Sequence, residues 1–341
     1  MKRQSIHSRP IPAEGAHLVV IIPAFNEEMT IVRVIQSIPR NLPGLRRTDI
    51  VVIDDGSTDH TNAMAAEAGA IVIAHHENCG VGQSYSTGVH EALALGADIV
   101  VNIDADGQFS SSDIPLLIQP ILDGKAELVT ASRFKDSTKT PEMPLARLLG
   151  NRLVSLIISL IVGRRFYDVS CGFRACSRDA ALHLNLTGKF TYTQEMFLDL
   201  AFKGIHVVEV PVVVRGSREY GQAKISSNLF GYANRAIRII LRAYRDYWPW
   251  RFFSSLALVC FVIASGTGGW MFYWRFHHGT FSPHIWAGFV GGFFFMLGML
   301  FTTMGMVADM LGMIRLNAER SLYFDKRRHY DMQELERKAN D

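Results

Sequence analysis

Asp104-Ala105-Asp106-Gly107-Gln108 places two carboxylates and an amide at the end of an apolar run, Asp98 to Ile103. Carboxylates one residue apart point to opposite sides of a regular strand, but a turn at Gly107 can fold Asp104, Asp106 and Gln108 around one hard cation. A divalent ion held there would gather a diphosphate. An isolated Asp-x-Asp is more often an ordinary polar loop, so the neighbours decide between the two readings.

Three more loops stand in the same relation to a strand. Pro23-Ala24-Phe25-Asn26-Glu27-Glu28 follows the first apolar run, Asp54-Asp55-Gly56-Ser57-Thr58-Asp59 the second, and Asn78-Cys79-Gly80-Val81-Gly82 the third. The crevice at the carboxyl ends of the strands is where an open α/β sheet holds its ligand. A carboxylate in the second loop can accept hydrogen bonds from a ribose or a base imino nitrogen, while Asn26, Ser57 or Asp59 could equally cap helices. The glycines of the third loop permit close backbone approach to a ligand. A calcium-loop reading of Asp104 fails because its twelfth position is Pro115, and Gly80 and Gly82 lack the third glycine of a dinucleotide-binding loop. His75 and His76 read as loop residues. Cys79, Cys171, Cys176 and Cys260 lack zinc-ligand spacing and read as small apolar fillers.

The elements that must position these loops follow from periodicity. Short β-branched runs alternate with amphipathic segments from Leu18 onward, the pattern of a mostly parallel sheet covered on both faces. Strands are expected at His17–Ile22, Ile50–Ile53, Ala70–Ala74, Asp98–Ile103 and Glu127–Ala131, with a later one at Val207–Val214 that Pro211 marks as an edge or a break. The first helix is expected from about Glu27, with Ile31, Val34, Ile35 and Ile38 facing the core; two more follow Thr58 and Gly82.

The chain has 341 residues, 48% of them hydrophobic, and a formal net charge of +3, too small to argue for nucleic acid. Phe252–Trp274 and Ile285–Val307 contain no charged residue, and each is long enough to cross a hydrocarbon core of about 30 Å as a helix. Arg235, Arg238, Arg242, Arg245 and Arg251 precede the first span, and Arg315, Arg320, Lys326, Arg327 and Arg328 follow the second, against one arginine in the linker. The positive-inside bias puts both ends in the cytoplasm, as an integral protein of the cytoplasmic membrane. The N-terminus carries Lys2, Arg3 and Arg9 without an apolar h-region, so no cleavable signal is expected. Between Ser226 and Tyr247, an apolar stripe and an arc of arginines read as an interfacial helix. Leu153–Val162 is too short to span, is bracketed by Arg147, Arg152, Arg164 and Arg165, and is expected to dip into the membrane surface or pack beneath it, with a plain core helix as the alternative. Gly288 and Gly292 form a small-xxx-small pair suited to hairpin packing or to a homo-oligomer interface.

Taken together, the strand-end motifs resemble the family 2 glycosyltransferases of GT-A fold, from about Leu18 through Lys224. More narrowly, the chain is similar to the branch containing dolichyl phosphate mannose synthase and bacterial polyprenyl phosphate glycosyltransferases. That likeness rests on Ser132-Arg133-Phe134, Asp168 through Arg174, Tyr192 through Glu195, and Glu209-Val210-Pro211 followed by Arg215 and Lys224. It departs at Val81, where relatives often have lysine, and at Ala223, where they often have serine.

The resemblance implies that Pro23, Ala24, Asn26 or Glu27, and Asp54 or Asp55 hold the nucleoside, with Gly80, Asp104 and Ala105 lining the same pocket. It implies that Asp104, Asp106 and Gln108 bind Mg²⁺ or Mn²⁺ with the diphosphate. Arg133, Arg147 and Arg215 would grip the acceptor phosphate, with Lys224 near a phosphate group. Gln194 and Glu195 would read the sugar hydroxyls or the acceptor, although Glu195 could equally be a buried partner for Arg174. A phosphomonoester acceptor is already largely ionised at neutral pH, so no strong general base is needed. The expected protein has a GT-A catalytic domain at 1–225, an interfacial helix at 226–250, a membrane hairpin at 251–314 and a polar tail at 315–341. Its expected activity is inverting transfer of one sugar from a UDP or GDP sugar to a polyprenyl phosphate at the bilayer. A processive polysaccharide synthase is the nearest rival, but the chain has no Gln-x-x-Arg-Trp signature. A catalytically dead membrane scaffold is the other.

Overall fold

The apolar β-branched runs become strands of one sheet. The computed structural model describes residues 12, 14–136, 145–185, 192–215, 241–242 and 244–340. Its strands are β1 (Ala16–Ala24), β2 (Leu45–Asp54), β3 (Ile71–Ala74), β4 (Ile99–Asn102), β5 (Leu128–Ser132), β6 (Arg174–Ser177) and β7 (Val207–Pro211), in the order β3-β2-β1-β4-β6-β5-β7. Only β6 runs antiparallel to its neighbours, β4 and β5. Strands buried on both faces read as continuous apolar runs, and Leu18 through Ile22 are fully buried. Pro211 ends β7 at the sheet edge, where its missing N–H costs no ladder bond.

Helices cover the sheet: α1 (Ile31–Ser37), α2 (Thr61–Glu67), α3 (Val81–Ala94), α4 (Ile114–Leu122), α5 (Leu145–Val162), α6 (Arg178–His183) and α7 (Tyr192–Phe202). The first begins at Ile31 rather than Glu27, because a turn in which Thr30 and Ile31 donate to the Glu27 carbonyl comes first. Helix α5 has two apolar sides. Val154 and Ile158 are buried, while Leu149, Leu153, Leu156 and Leu160 form an exposed stripe at helical spacing.

The chain divides into two units, 1–237 together with 323–341, and 238–322. The second unit contains α8 (Pro249–His278) and the first part of α9 (Ile285–Asn340), two helices long and apolar enough to cross a membrane. The expected spans lie within them. A Cβ on Gly288 would lie 2.6 Å from Met271 Sδ of α8, while nothing lies within 4 Å of one on Gly292. Besides Gly288, four glycines that meet α8 recur every seventh residue. Gly291 faces Ala264 and Thr267, Gly298 faces Phe261, Gly305 faces Phe253 and Trp250, and Gly312 faces Pro249. A seven-residue repeat keeps one seam toward a partner helix.

The expected polar tail is helix as far as Asn340, and from Tyr323 onward it packs within the first unit. Tyr323 donates to Asp179 Oδ1 at 2.5 Å and stacks on His183, while Lys326 Nζ donates to the Leu184 carbonyl at 2.8 Å. Tyr330 shares a 2.6 Å hydrogen bond with His90 Nδ1. Arg178, its side chain 5% exposed, meets Asp331 at 3.2 Å and Glu334 at 3.8 Å. The expected interfacial helix falls mostly outside the described residues, as do Lys224 and the side chain of Arg147.

Candidate active site

The carboxyl ends of β1, β2 and β3 are bonded into one wall. Asp55 N donates to the Ala24 carbonyl at 2.8 Å, Asn26 N to Ser57 Oγ at 2.9 Å, and Thr58 N to Asn26 Oδ1 at 2.8 Å. Asn26 therefore spans two loops and does not cap α1; its φ of +51° is a conformation that asparagine tolerates better than most side chains. Glu27 N donates to Thr61 Oγ1 at 2.8 Å, and Pro23, near the end of β1, is half-buried. The backbone at Gly56, with φ +74°, passes so close to the β3 loop that a Cβ would sit 2.7 Å from the Glu77 carbonyl carbon.

Asp54 and Asp55 are both buried, and both shape this wall. Asp54 accepts from Ser57 N at 3.0 Å and from Asn62 Nδ2 at 3.2 Å. Asp55 accepts from Cys79 N at 3.0 Å and Gly80 N at 2.9 Å, and its Oδ1 lies 2.8 Å from His75 Nδ1. His75 Nε2 in turn lies 3.0 Å from Thr87 Oγ1 on α3. The ligand atoms of Asp55, His75 and Cys79 all fall within 4.8 Å of one another. This corrects the reading of His75 as a plain loop residue and of Cys79 as a filler. Chain spacing could not show it, because Asp55 follows β2 while His75 and Cys79 lie in the loop after β3. The carboxylate already takes two backbone N–H groups and the imidazole, so the cluster works first as a hydrogen-bonded brace.

The loop after β4 carries Asp104, half-buried, Ala105 in the core, and Asp106, buried. Gln108 N donates to Asp106 Oδ1 at 3.0 Å, forming the turn anticipated at Gly107. Gly172 lets the neighbouring loop approach: a Cβ there would lie 3.1 Å from Asp104 Oδ2. Asn102 Nδ2 ties the two loops together, donating to the Gly172 carbonyl at 2.9 Å and to Tyr192 Oη at 3.1 Å. Burial and then the Asp104 charge push the Tyr192 hydroxyl well above its ordinary pKa, so it stays a neutral phenol. Arg33, from α1, lies against Gly107, a cation the sequence reading did not single out.

Arg215 is brought to the same loop by backbone pairing. Phe109 and Val214 form an antiparallel bridge, and Arg215 N donates to the Gln108 carbonyl at 3.1 Å. Arg133 follows β5 and forks onto Asp168, with Nε 2.7 Å from Oδ2 and Nη2 2.9 Å from Oδ1. Arg174 donates to the carbonyls of Cys171, Val169 and Thr193, each at 2.7 Å. Its partners are thus backbone oxygens rather than Glu195. Gln194 is buried at the start of α7 and Glu195 half-buried beside it.

Asp104, Asp106 and the Gln108 side-chain oxygen are hard donors on one turn, the set that Mg²⁺ or Mn²⁺ prefers. The pocket at Gly172 leaves room for the Asp104 carboxylate that a side chain would take, so the residues fit such an ion. Near Arg133, Phe134, Arg152, Leu156, Leu160, Arg164 and Tyr167 line an apolar groove of about 720 Å³ with arginines at its edges.

Comparison with known proteins agrees with this geometry. Residues 19–184 match the family described as glycosyl transferase family 2. The UDP-N-acetylglucosamine–dolichyl-phosphate N-acetylglucosaminyltransferase of Methanococcus voltae is 34% identical over 235 residues, 63% of this chain and 92% of that protein. The undecaprenyl-phosphate mannosyltransferase of Micrococcus luteus is 29% identical, over 63% of this chain and 90% of that one. Glucosyl-3-phosphoglycerate synthase of Mycobacterium tuberculosis, solved with Mn²⁺, UDP-glucose and phosphoglyceric acid, superposes with a TM-score of 0.53 at 25% identity, covering 67% of this chain and 80% of that chain.

Proposed function

The chain belongs to glycosyl transferase family 2, and from that premise we propose that it moves one sugar from a UDP or GDP sugar to a polyprenyl phosphate at the cytoplasmic face of a membrane. One observation carries the reading: the Phe109–Val214 bridge sets Arg215 against the Asp104–Gln108 turn, so a phosphate-binding cation adjoins the donor diphosphate site. The apolar groove on α5 supports a lipid as the owner of that second phosphate.

In this reading the wall formed by Pro23, Ala24, Asn26, Glu27, Asp54, Asp55 and Gly80 takes the nucleoside. Asp104, Asp106 and Gln108 hold the divalent ion, which when bound neutralises the departing nucleotide diphosphate. Arg133 and Arg215, with Arg147 and Lys224, hold the acceptor phosphate in line with the anomeric carbon. Arginine suits this because its planar fork binds phosphate through parallel hydrogen bonds. An acceptor oxygen that arrives ionised attacks without a base, and the C1–O bond to the diphosphate breaks as the new one forms, inverting the anomeric centre. Gln194 and Glu195 are assigned to sugar or acceptor recognition. The catalytic domain is assigned to 1–225, the interfacial helix to 226–250, the hairpin to 251–314 and the segment beyond it to 315–341. Two spans would return the chain to the side it left, and the arginines at both ends support the cytoplasm as that side.

The test is incubation of the purified protein with short polyprenyl phosphates, Mg²⁺ or Mn²⁺ and a panel of UDP and GDP sugars. Label is expected in the organic phase, with inverted configuration. Label appearing only on a soluble phosphate-bearing acceptor such as phosphoglycerate would overturn the lipid assignment, and a retained anomer would overturn inversion.

A further inference from the structure

Glu209 is a buried carboxylate on the edge strand β7 that takes no part in the steps above. It pairs across the sheet with Thr130, three residues before Arg133. Its carboxylate turns to a loop: Oε1 accepts from Tyr167 N at 3.0 Å and Asp168 N at 2.8 Å, and Oε2 accepts from Tyr167 N at 2.9 Å. Asp168, with no exposed surface, is thereby held from behind. Its own carboxylate accepts from Arg133 three times, through Nε, Nη2 and the backbone N–H at 3.1 Å.

We infer that Glu209 is a positioning residue for the acceptor, fixing Asp168 and through it the plane of the Arg133 guanidinium that meets the lipid phosphate. This rests on the assignment of Arg133 to the acceptor made above. A guanidinium binds phosphate well only when its fork is aimed, and a free arginine side chain would have to be ordered at each encounter. Here two parallel bonds to Asp168 set the plane, and Phe134 covers the guanidinium at 5.2 Å from the ring centre. Lys135 secures the other end of the strand pair by donating Nζ to the Glu209 carbonyl at 2.5 Å. An apolar residue at 209 would leave two buried N–H groups without their acceptor and let the loop drift.

The relay touches one substrate only. Glu209 makes no bond to Asp54, Asp55, Asp104 or Asp106, so its loss is felt by the acceptor and not by the donor. In the full-length protein, Glu209→Ala is expected to raise the acceptor KM about tenfold or more, the scale of one lost buried acceptor, with the donor KM within about twofold. Glu209→Gln keeps a carbonyl oxygen where Oε1 accepts both N–H groups, and is expected to stay within about threefold of the unmodified enzyme. Since both residues act on one phosphate contact, adding Glu209→Ala to Arg133→Ala should raise the acceptor KM no further. Equal changes in both KM values, a glutamine variant as impaired as the alanine one, or a further loss in the double variant would each overturn the relay while leaving the transferase reading intact. If the unmodified protein transfers no sugar to lipid, both fall together.

Discussion

Arg337 donates Nη1 to the Leu95 carbonyl at 2.8 Å and Nη2 to the Ala94 carbonyl at 2.7 Å, closing the C-terminal end of α3. A cation there satisfies carbonyls that have no intrahelical partner and opposes the helix dipole. The other end of α3 begins beside Gly80, whose N–H holds Asp55. One helix thus joins the last segment of the chain to the wall proposed to take the nucleoside.

Arg337→Ala should lower stability by about 1 kcal/mol, the value of a terminal cation on a helix. Replacing Asp331 and Glu334 together by Asn and Gln should cost about 3 kcal/mol, because Arg178 then stays buried without a countercharge. Urea unfolding of the detergent-solubilised protein checks both, and equal small effects would show that the segment merely rests on the surface.

Asp106→Asn should lower kcat about a hundredfold or more while leaving the melting temperature within a few degrees, since the amide can still accept from Gln108 N. Raising Mn²⁺ should recover part of the rate. A loss of thermal stability as large as the loss of rate would recast Asp106 as a structural turn residue.

Cysteine labelling should single out Cys79. Burial pushes the thiols of Cys171 and Cys176 up to about 12, which leaves them inert, whereas Cys79 is half-buried in the loop that meets Asp55. Maleimide should therefore modify Cys79 first, and UDP or GDP with Mn²⁺ should slow the reaction. Mass spectrometry locating the adduct elsewhere, or equal rates with and without nucleotide, would separate this loop from the donor pocket.

Burial raises the pKa of Glu209 above its ordinary 4.5, against the lowering effect of the Asp168 and Tyr167 N–H groups. Between those two values the folded protein binds more protons than the unfolded one, so this group's contribution to stability falls as pH rises through the window. Glu209→Gln should flatten that part of the pH–stability curve and make the protein no less stable at neutral pH. Thermal melts across pH 4 to 8, compared with the unmodified protein, check the sign.

The five strands expected before residue 132 were legible because each is a continuous apolar run bounded by polar loops, and the loops carrying Asp54, Asp55, Asp104 and Asp106 sit where such strands end. Strand β6 was not. It has four residues, one of them Arg174, and its place between β4 and β5 comes from antiparallel pairing that no local pattern records. The brace of Asp55, His75 and Cys79 is equally non-local. The end of the C-terminal helix was hidden by its charge, yet it carried a readable sign: Tyr323, Tyr330 and Arg337 recur at seven-residue intervals, and all three make hydrogen bonds within the first unit. Composition made that segment look like a solvated tail, because its contacts are hydrogen bonds and ion pairs of polar side chains rather than an apolar stripe.

The split of the first unit around residues 238–322 also sets an order of manufacture. A ribosome delivers the sheet, its strand-end loops and Arg178 well before Asp331 and Glu334 exist as peptide, and residues 238–322 must be made in between. A catalytic portion released early, or cut from a gene at residue 237, carries a guanidinium still waiting for its countercharge. The unit can reach its final form only after both long apolar helices have been synthesised, so completion of the enzyme is tied to completion of that pair.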